Sequence, residues 1–425
     1  MIIGEGYTDR FLNRSEIREI LIEALDSIDV DGQRLLVILP DNTRSGPIPL
    51  CFELLTELLL DRVAKLDMLI ALGTHMPMDE KKICKQLDIT PAQLHGEYAA
   101  VNIYNHNWEE GLREIGVIPA SEVRKLTDGL MEEEVRVEIN ERLFDYDRVI
   151  ICGPVFPHEI AGFSGGNKYF FPGVSGPDMI NMTHWLGALV TNVNTIGFQD
   201  TAVRRMLDRA ASLITIPKSC FAMVVGVGRH ASHEDLAGLY FGSPEEAQAA
   251  AAALSAEVNI TYVDRSFHTV ISIMPPLYDD IWTASKGMYK VEPVVADGGR
   301  VIIYAPHVDE ISYTHGEILD RVGYHVRDYY LVHGHLCEEE PRSVLAHSTL
   351  VKGAGTCIDG VEVPRVEVIL ATGVPKERCE QVNLGYMDPA TINPQEWMGR
   401  EEEGILVVPR AGEVLYRLQE DKAKQ

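Results

Sequence analysis

Along the first third of the chain, apolar positions switch between two patterns. From Ile17 to Ile28 they recur at helical spacing behind Ser15, which predicts an amphipathic helix capped by that serine. Arg34 to Leu39 is instead a short apolar run, suited to a strand buried on both faces. After the turn-rich stretch Pro40 to Pro49, a helix is predicted from about Leu50 to Leu66. A second strand, Asp67 to Leu72, runs out into Gly73-Thr74-His75-Met76-Pro77. Both strands therefore end in polar clusters, Asp41-Asn42-Thr43-Arg44 and Thr74-His75. The carboxyl ends of strands are where open parallel sheets hold ligands.

The same alternation continues. Asp147 to Cys152 and Cys220 to Val225 read as strands, the first opening into the glycine-rich stretch Gly153 to Gly176. Ser243 to Glu257 is an alanine-rich helix that starts with a capping box. From His268 the pattern restarts with a strand at Thr269 to Met274, a helix from Ile281 and a strand at Arg300 to Tyr304. Helices around Glu317 to Arg321 and Arg327 to His333 follow, then strands at Val366 to Leu370 and Ile405 to Val408. The fold class expected is α/β: two α/β domains with mostly parallel sheets facing each other across a cleft. Residues 1–266 would form an N-terminal catalytic and cofactor-binding domain, and residues 267–425 a C-terminal domain closing over a substrate.

Composition narrows the function. With 38 Lys+Arg against 64 Asp+Glu the formal charge is −26, a surface that repels phosphate backbones and anionic lipid, so neither nucleic acid nor membrane is an expected partner. Hydrophobic residues at 46% and charged residues at 24% are ordinary globular usage, which argues against disorder. The seven cysteines are scattered and never form a C-x-x-C pair, so a disulfide framework or zinc ribbon is not expected. The start of the chain lacks a signal pattern and no apolar run approaches a membrane span, so a cytoplasmic location is expected.

The strongest local signal is Gly162-Phe163-Ser164-Gly165-Gly166-Asn167-Lys168. Glycines let backbone N–H groups approach an anion, and a terminal lysine offers a cation or a nucleophilic amine. It is not a P-loop, because Asn167 precedes the lysine and Tyr169 follows it. Gly226 to Ala231 matches a loose G-x-G-x-x-A pattern that would suit an NAD-dependent α/β dehydrogenase, but the following residues lack the long helix such a site needs and read as a hairpin turn. His75, His158 and His184 sit at strand ends or beside the glycine-rich loop, where imidazole can move protons near neutral pH or ligate zinc, copper, iron or nickel. His333 and His335 read as a solvated turn, and His230, His233 and His268 are assigned no role. Lys286 opens a helix after a strand, where a lysine points either to an anionic ligand or to simple solvation, and its position alone does not decide between them.

Taken together, Asp41 to Arg44, Gly73 to Pro77, Pro157-His158, Ala161 to Lys168, Pro172-Gly173, His184 and Lys286-Gly287-Met288 are similar in order and spacing to the lactate racemase family that uses a nickel-pincer nucleotide. The resemblance is dense over the first 190 or so residues and thin after about residue 300. It implies an isomerase, a 2-hydroxy acid racemase or epimerase. The cofactor implied is nickel held by pyridinium-3,5-bisthiocarboxylic acid mononucleotide joined covalently to Lys168. Carried over residue by residue, His184 would be the protein's nickel ligand, and His75 and His158 the two bases that serve the two enantiomers. Arg44 and Lys286 would bind substrate with Thr283 and Trp282, while Asp41, Thr43, Gly165 and Gly166 would contact the cofactor. C2 would be inverted by reversible hydride transfer through a 2-keto acid.

Two departures bear on substrate. Thr283 stands where the lactate enzymes have glutamine, and Trp282 where they have tyrosine. Lactate, another short 2-hydroxy acid or an aldonate are the substrates this pattern implies, and cofactor-synthesis and loading proteins the partners. A cofactor-free binding paralogue is the non-catalytic alternative, against which the intact His75, His158, Lys168 and His184 weigh.

Overall fold

The computed structural model describes residues 1–226 and 235–424. Its contacts divide the chain into two compact units. The first comprises residues 1–156, 163–180 and 204–259, and the second residues 157–162, 181–203 and 260–425.

The first unit is built on a seven-stranded sheet of β1 (Ile3–Gly6), β2 (Arg34–Pro40), β3 (Lys65–Ala71), β4 (Ile103–Asn105), β5 (Arg148–Pro154), β6 (Lys218–Val225) and β7 (Leu236–Gly242). The strand order is β1-β7-β6-β5-β2-β3-β4. Pairings from β6 through β4 are parallel, whereas β7 joins β6 and β1 in antiparallel fashion. From β2 the chain winds outward through β3 and β4, and from β5 it winds the other way to β6. The gap between the carboxyl ends of β2 and β5 is therefore the topological switch point, where open α/β sheets leave a crevice. Leu35 through Leu39 are at most 2% exposed, as a strand covered on both faces requires.

Helix boundaries show where sequence reading and structure differ. The first helix, α1, is Arg14–Asp26, and its cap is Asn13 rather than Ser15. The Asn13 side chain accepts from the Ser15 and Glu16 N–H groups while Glu16 reaches back to the Asn13 N–H, a capping box worth about 1 kcal/mol. The next helix, α2, spans Ile48–Leu59, ending well before Leu66 because the chain must turn at Asp61–Ala64 to enter β3 at Lys65.

The second unit carries a five-stranded sheet of β8 (Phe267–Ile273), β9 (Val295–Ala305), β10 (Glu367–Thr372), β11 (Gly385–Tyr386) and β12 (Ile405–Val408), ordered β11-β10-β9-β8-β12. All four pairings are parallel. Both sheets are thus mainly or wholly parallel, as the alternating pattern implied.

The division between units departs from a single cut after residue 266. It falls at Asn259/Ile260, and residues 157–162 and 181–203 pack with the second unit. The reason is hydrogen bonding over long sequence separation. Asn192 donates to Glu292 (2.8 Å) and to the Tyr289 carbonyl (3.0 Å). Arg327 donates to the Leu189 carbonyl (3.0 Å), and Arg417 to the Ile196 carbonyl (2.6 Å). Lys290 donates to the Pro157 carbonyl.

Candidate active site

In the first unit the site begins where β2 stops. Pro40 ends the strand, and the next residue, Asp41, is 5% exposed. Its Oδ1 accepts from the Thr43 hydroxyl (2.7 Å) and from the Thr43 N–H (3.2 Å), closing an Asx-type turn. Its other oxygen, Oδ2, lies 2.5 Å from His75 Nδ1. His75 follows β3 through a turn in which Gly73 (φ +55) donates its N–H to the Gly173 carbonyl (2.9 Å) and His75 donates to the Leu72 carbonyl (2.9 Å). Burial works against the Asp41 charge. The charge and hydrogen bond of His75, then the charge of Arg44 and the Thr43 hydroxyl, overcome it and hold the carboxyl well below the usual carboxylate range. With the ionised Asp41 accepting from Nδ1, Nε2 is the ring nitrogen left to exchange a proton with a ligand.

Lys168 lies on the short 3-10 turn Gly166–Tyr169, behind Gly165 (φ +80) and Gly166 (φ +58). Both glycines are required. A Cβ on Gly166 would sit 2.7 Å from Gln248 Cβ and 2.8 Å from the Pro244 carbonyl oxygen, and one on Gly165 would sit 2.5 Å from Val155 Cγ2. Four residues that sequence reasoning missed hold this turn. Arg204, 6% exposed, donates to the Phe163 carbonyl (2.5 Å) and to the Gly165 carbonyl (3.2 Å). Gln248 donates to the Ser164 carbonyl (3.3 Å). The Asn167 amide donates to Asp208 (2.8 Å) and Glu245 (2.6 Å). Nothing local in the sequence marks Arg204, Asp208, Glu245 or Gln248, since they come from helices about 40 to 80 residues later.

The remaining residues belong to the second unit. His158 is 7% exposed; its Nδ1 accepts from the Ile160 N–H (3.1 Å) and lies 3.4 Å from a Glu159 carboxylate oxygen. His184 sits within the helix α3 (Pro177–Val190), with Nδ1 3.5 Å from the Thr183 hydroxyl. Thr283 is committed to its own helix: its hydroxyl donates to Asp280 Oδ1 (2.8 Å) and its N–H to the same oxygen (2.9 Å). Trp282 stacks on His347 (ring centroids 3.9 Å apart, 25° between planes) and lies 4.6 Å from the His315 ring. Lys286, 9% exposed, sets its ammonium over the Tyr278 ring at 4.6 Å, a cation–π contact. His347 was not anticipated. Burial, then the nearby His315 and His184, push its imidazole down to about 3, so it is neutral at physiological pH.

The structure therefore brings Asp41, Thr43 and His75 into one hydrogen-bonded group, and places Trp282 in a cluster with His315 and His347. His75 and Lys168 belong to the first unit, His158, His184, Trp282, Thr283 and Lys286 to the second. The dinucleotide-type pattern leaves only Gly226 among the described residues; Val227 to Ala231 and both His230 and His233 lie outside them. Among the described residues no helix is long and apolar enough to cross a membrane.

A mainly parallel sheet with an aspartate–histidine pair at its switch point, and a lysine on a tightly held glycine turn, defines an α/β protein. Residues 13–197 match the family model described as the lactate racemase N-terminal domain. A lactate racemase from Thermoanaerobacterium thermosaccharolyticum is 24% identical over 283 residues, which span 65% of this chain and 61% of that protein. A crystal structure of a Thermotoga maritima protein superposes with a TM-score of 0.87 at 31% identity, covering 96% of this chain and 99% of that one. The structure of the lactate racemase apoprotein from T. thermosaccharolyticum shares the fold, with a TM-score of 0.71 at 17% identity over 98% of this chain and 100% of that one. Residues 13–197 thus resemble the lactate racemase N-terminal domain, and the chain as a whole shares the fold of that enzyme's apoprotein.

Proposed function

We propose that the protein is an isomerase that inverts C2 of a 2-hydroxy acid by reversible hydride transfer, with a nickel-pincer nucleotide attached through Lys168. The observation that carries this reading is the short Asp41–His75 contact at the switch point of the first sheet. A buried carboxylate that accepts from Nδ1 sets the imidazole as a base through Nε2, which is what removal of a substrate hydroxyl proton needs.

The residues present suit such a group. The Gly165-Gly166 turn is packed too tightly for any side chain and carries a half-buried lysine. Among the described residues no three His, Cys, Asp or Glu side chains converge as a metal-binding set, so a nickel ion here would draw most of its donors from an organic ligand, with His184 adding one imidazole. When bound, the cofactor supplies a hydride acceptor at the pyridinium ring. The chain's own residues do the rest. His75 takes the hydroxyl proton from one enantiomer and returns it, and His158, beside Glu159, does so for the other. Arg44 neutralises the substrate carboxylate, and an arginine fork suits a planar carboxylate better than a point charge. Lys286 supplies a second cation. Loading needs partner proteins that make the cofactor.

Substrate assignment follows the second unit. With the Thr283 hydroxyl engaged by Asp280, this residue cannot offer the two amide donors of a glutamine, and Trp282 adds bulk and a stacking face. Those features favour a hydroxy acid other than lactate, and aldonates fit the class. Chiral analysis of a panel of single-enantiomer 2-hydroxy acids, lactate and aldonates included, tests the proposal with nickel-loaded protein. Inversion at C2 without added NAD supports it; a loaded protein that inverts none contradicts it.

A further inference from the structure

A cavity of about 260 Å³ lies wholly within the second unit, where two helices end. From α3 it is lined by Ala188 in the last turn and Thr191 just past the end. From α4 (Arg342–Lys352) it is lined by Thr349 and, beyond the end, by Ala354. Helix carboxyl ends carry partial negative charge and favour a cation. Thr191 takes φ +79, a conformation that a β-branched residue rarely adopts.

The buried polar side chains of this wall are short of donors. Glu292 is 0% exposed; its Oε1 accepts from the Ala354 N–H (2.6 Å) and its Oε2 from the Asn192 amide (2.8 Å). A carboxylate offers about four lone-pair sites, so part of its capacity stays open. Arg365 comes within 3.8 Å of Oε1, which is ion-pair range but too long for a hydrogen bond, and it donates instead to the Val295 and Glu292 carbonyls and to Asp297. Asn192 is 4% exposed. Its amide nitrogen donates to Glu292 and to the Tyr289 carbonyl, so turning the amide over would set oxygen against oxygen. The Asn192 Oδ1 is buried and has no hydrogen-bond partner. Such an atom calls for a donor that the chain does not supply. Among the described residues Arg327 is the cation that lines the cavity, and its guanidinium is committed to Asp328 and to the Leu189 carbonyl.

We propose that this cavity binds a small primary ammonium ligand, its N–H groups received by the Asn192 carbonyl oxygen and the Glu292 carboxylate. An ammonium group carries both the charge that the helix ends and Glu292 favour and the donors that Asn192 lacks. The volume falls below the roughly 300–1,000 Å³ of sites for drug-sized ligands and suits a molecule of a few heavy atoms. Simple amines and amino acids share this chemistry. The site is separate from the one that carries His75 and Lys168, and the proposal does not depend on the reaction assigned to the protein.

The test is the melting temperature of the full chain titrated with methylammonium, glycine, tetramethylammonium and sodium as chlorides or zwitterion at matched ionic strength. Methylammonium or glycine should raise it saturably, by about 2 °C or more at roughly tenfold above the dissociation constant. Tetramethylammonium, which has the charge but no N–H, and sodium should not. Tighter binding of methylammonium assigns the site to simple amines, and tighter binding of glycine to amino acids. Glu292→Gln should weaken the effective probe about tenfold or more, the size of a hydrogen bond to a charged group. Ala354→Leu, which adds bulk at the wall and leaves its backbone N–H for Glu292, should abolish the response; it serves where Glu292→Gln does not fold. The same response to all four probes, or none to methylammonium and glycine, overturns the proposal on native protein alone and leaves the cavity to water. A response that persists undiminished in both variants, or in whichever of them folds, overturns it as well.

Discussion

At the scale of single residues, Asp41 carries the most. The family resemblance implies a cofactor contact for it, and the structure adds a hydrogen bond that its carboxylate accepts from His75. Asp41→Asn keeps the shape and removes the charge that selects the His75 tautomer and steadies its protonated form. Turnover should drop about 10²–10³-fold with little change in KM, within the range general-base catalysis spans. Initial rates of loaded enzyme from both enantiomers check this. His106 shows a different use of the same side chain. Its Nε2 lies 3.1 Å from the Ser175 carbonyl oxygen and its Nδ1 3.0 Å from the Asn140 amide, so the ring is satisfied as the neutral tautomer. Burial pushes it down to about 4 from an ordinary 6.5, against the pull of the Ser175 carbonyl. Between those values the unfolded chain binds one proton more than the folded one. Stability should therefore fall by about 1.4 kcal/mol per pH unit as pH drops through that window, and His106→Leu should remove that slope even though it lowers stability at pH 7. Urea unfolding at several pH values measures both. Neither role could be read from sequence: the partners of His75 and His106 lie 34 residues away or more.

At the scale of elements, continuous apolar runs were readable because a central parallel strand has no solvent face to encode. β2, β5, β6 and β8 all fall within a few residues of the pattern. β1 was invisible: at four residues, only one of them buried, it has too little apolar surface to register and gains its place by pairing with β7. The glycine-rich stretch was legible as a site, but not as to what holds it. Gly166→Ala would force a positive φ on a residue with a Cβ and press it into Gln248 and Pro244. A loss of about 1–3 kcal/mol follows from strain and overpacking, read by chemical denaturation. The same variant should also carry less covalent adduct at Lys168, since the turn that presents the amine shifts.

For the molecule as a whole, α/β alternation was plain from the sequence, while the partition into units was not. Residues 181–203 look like a continuation of the glycine-rich region, yet Glu292, Arg327 and Arg417 hold them, and no local periodicity reveals bonds made across 100 to 221 residues. The family pattern stood out earlier than the architecture because its residues cluster at strand ends and turns, where chemistry rather than packing selects them. What joins these scales is the lysine on the glycine turn. The most direct measurement is peptide mass mapping of protein purified from cells that make the nickel-pincer nucleotide, with a known nickel-pincer lactate racemase matured in parallel. Lys168-containing peptides should bear the covalent mass, nickel should co-purify at about one per loaded chain, and Lys168→Ala should abolish both. An unmodified Lys168 in cells that load the reference enzyme, or an adduct that survives Lys168→Ala, would contradict it.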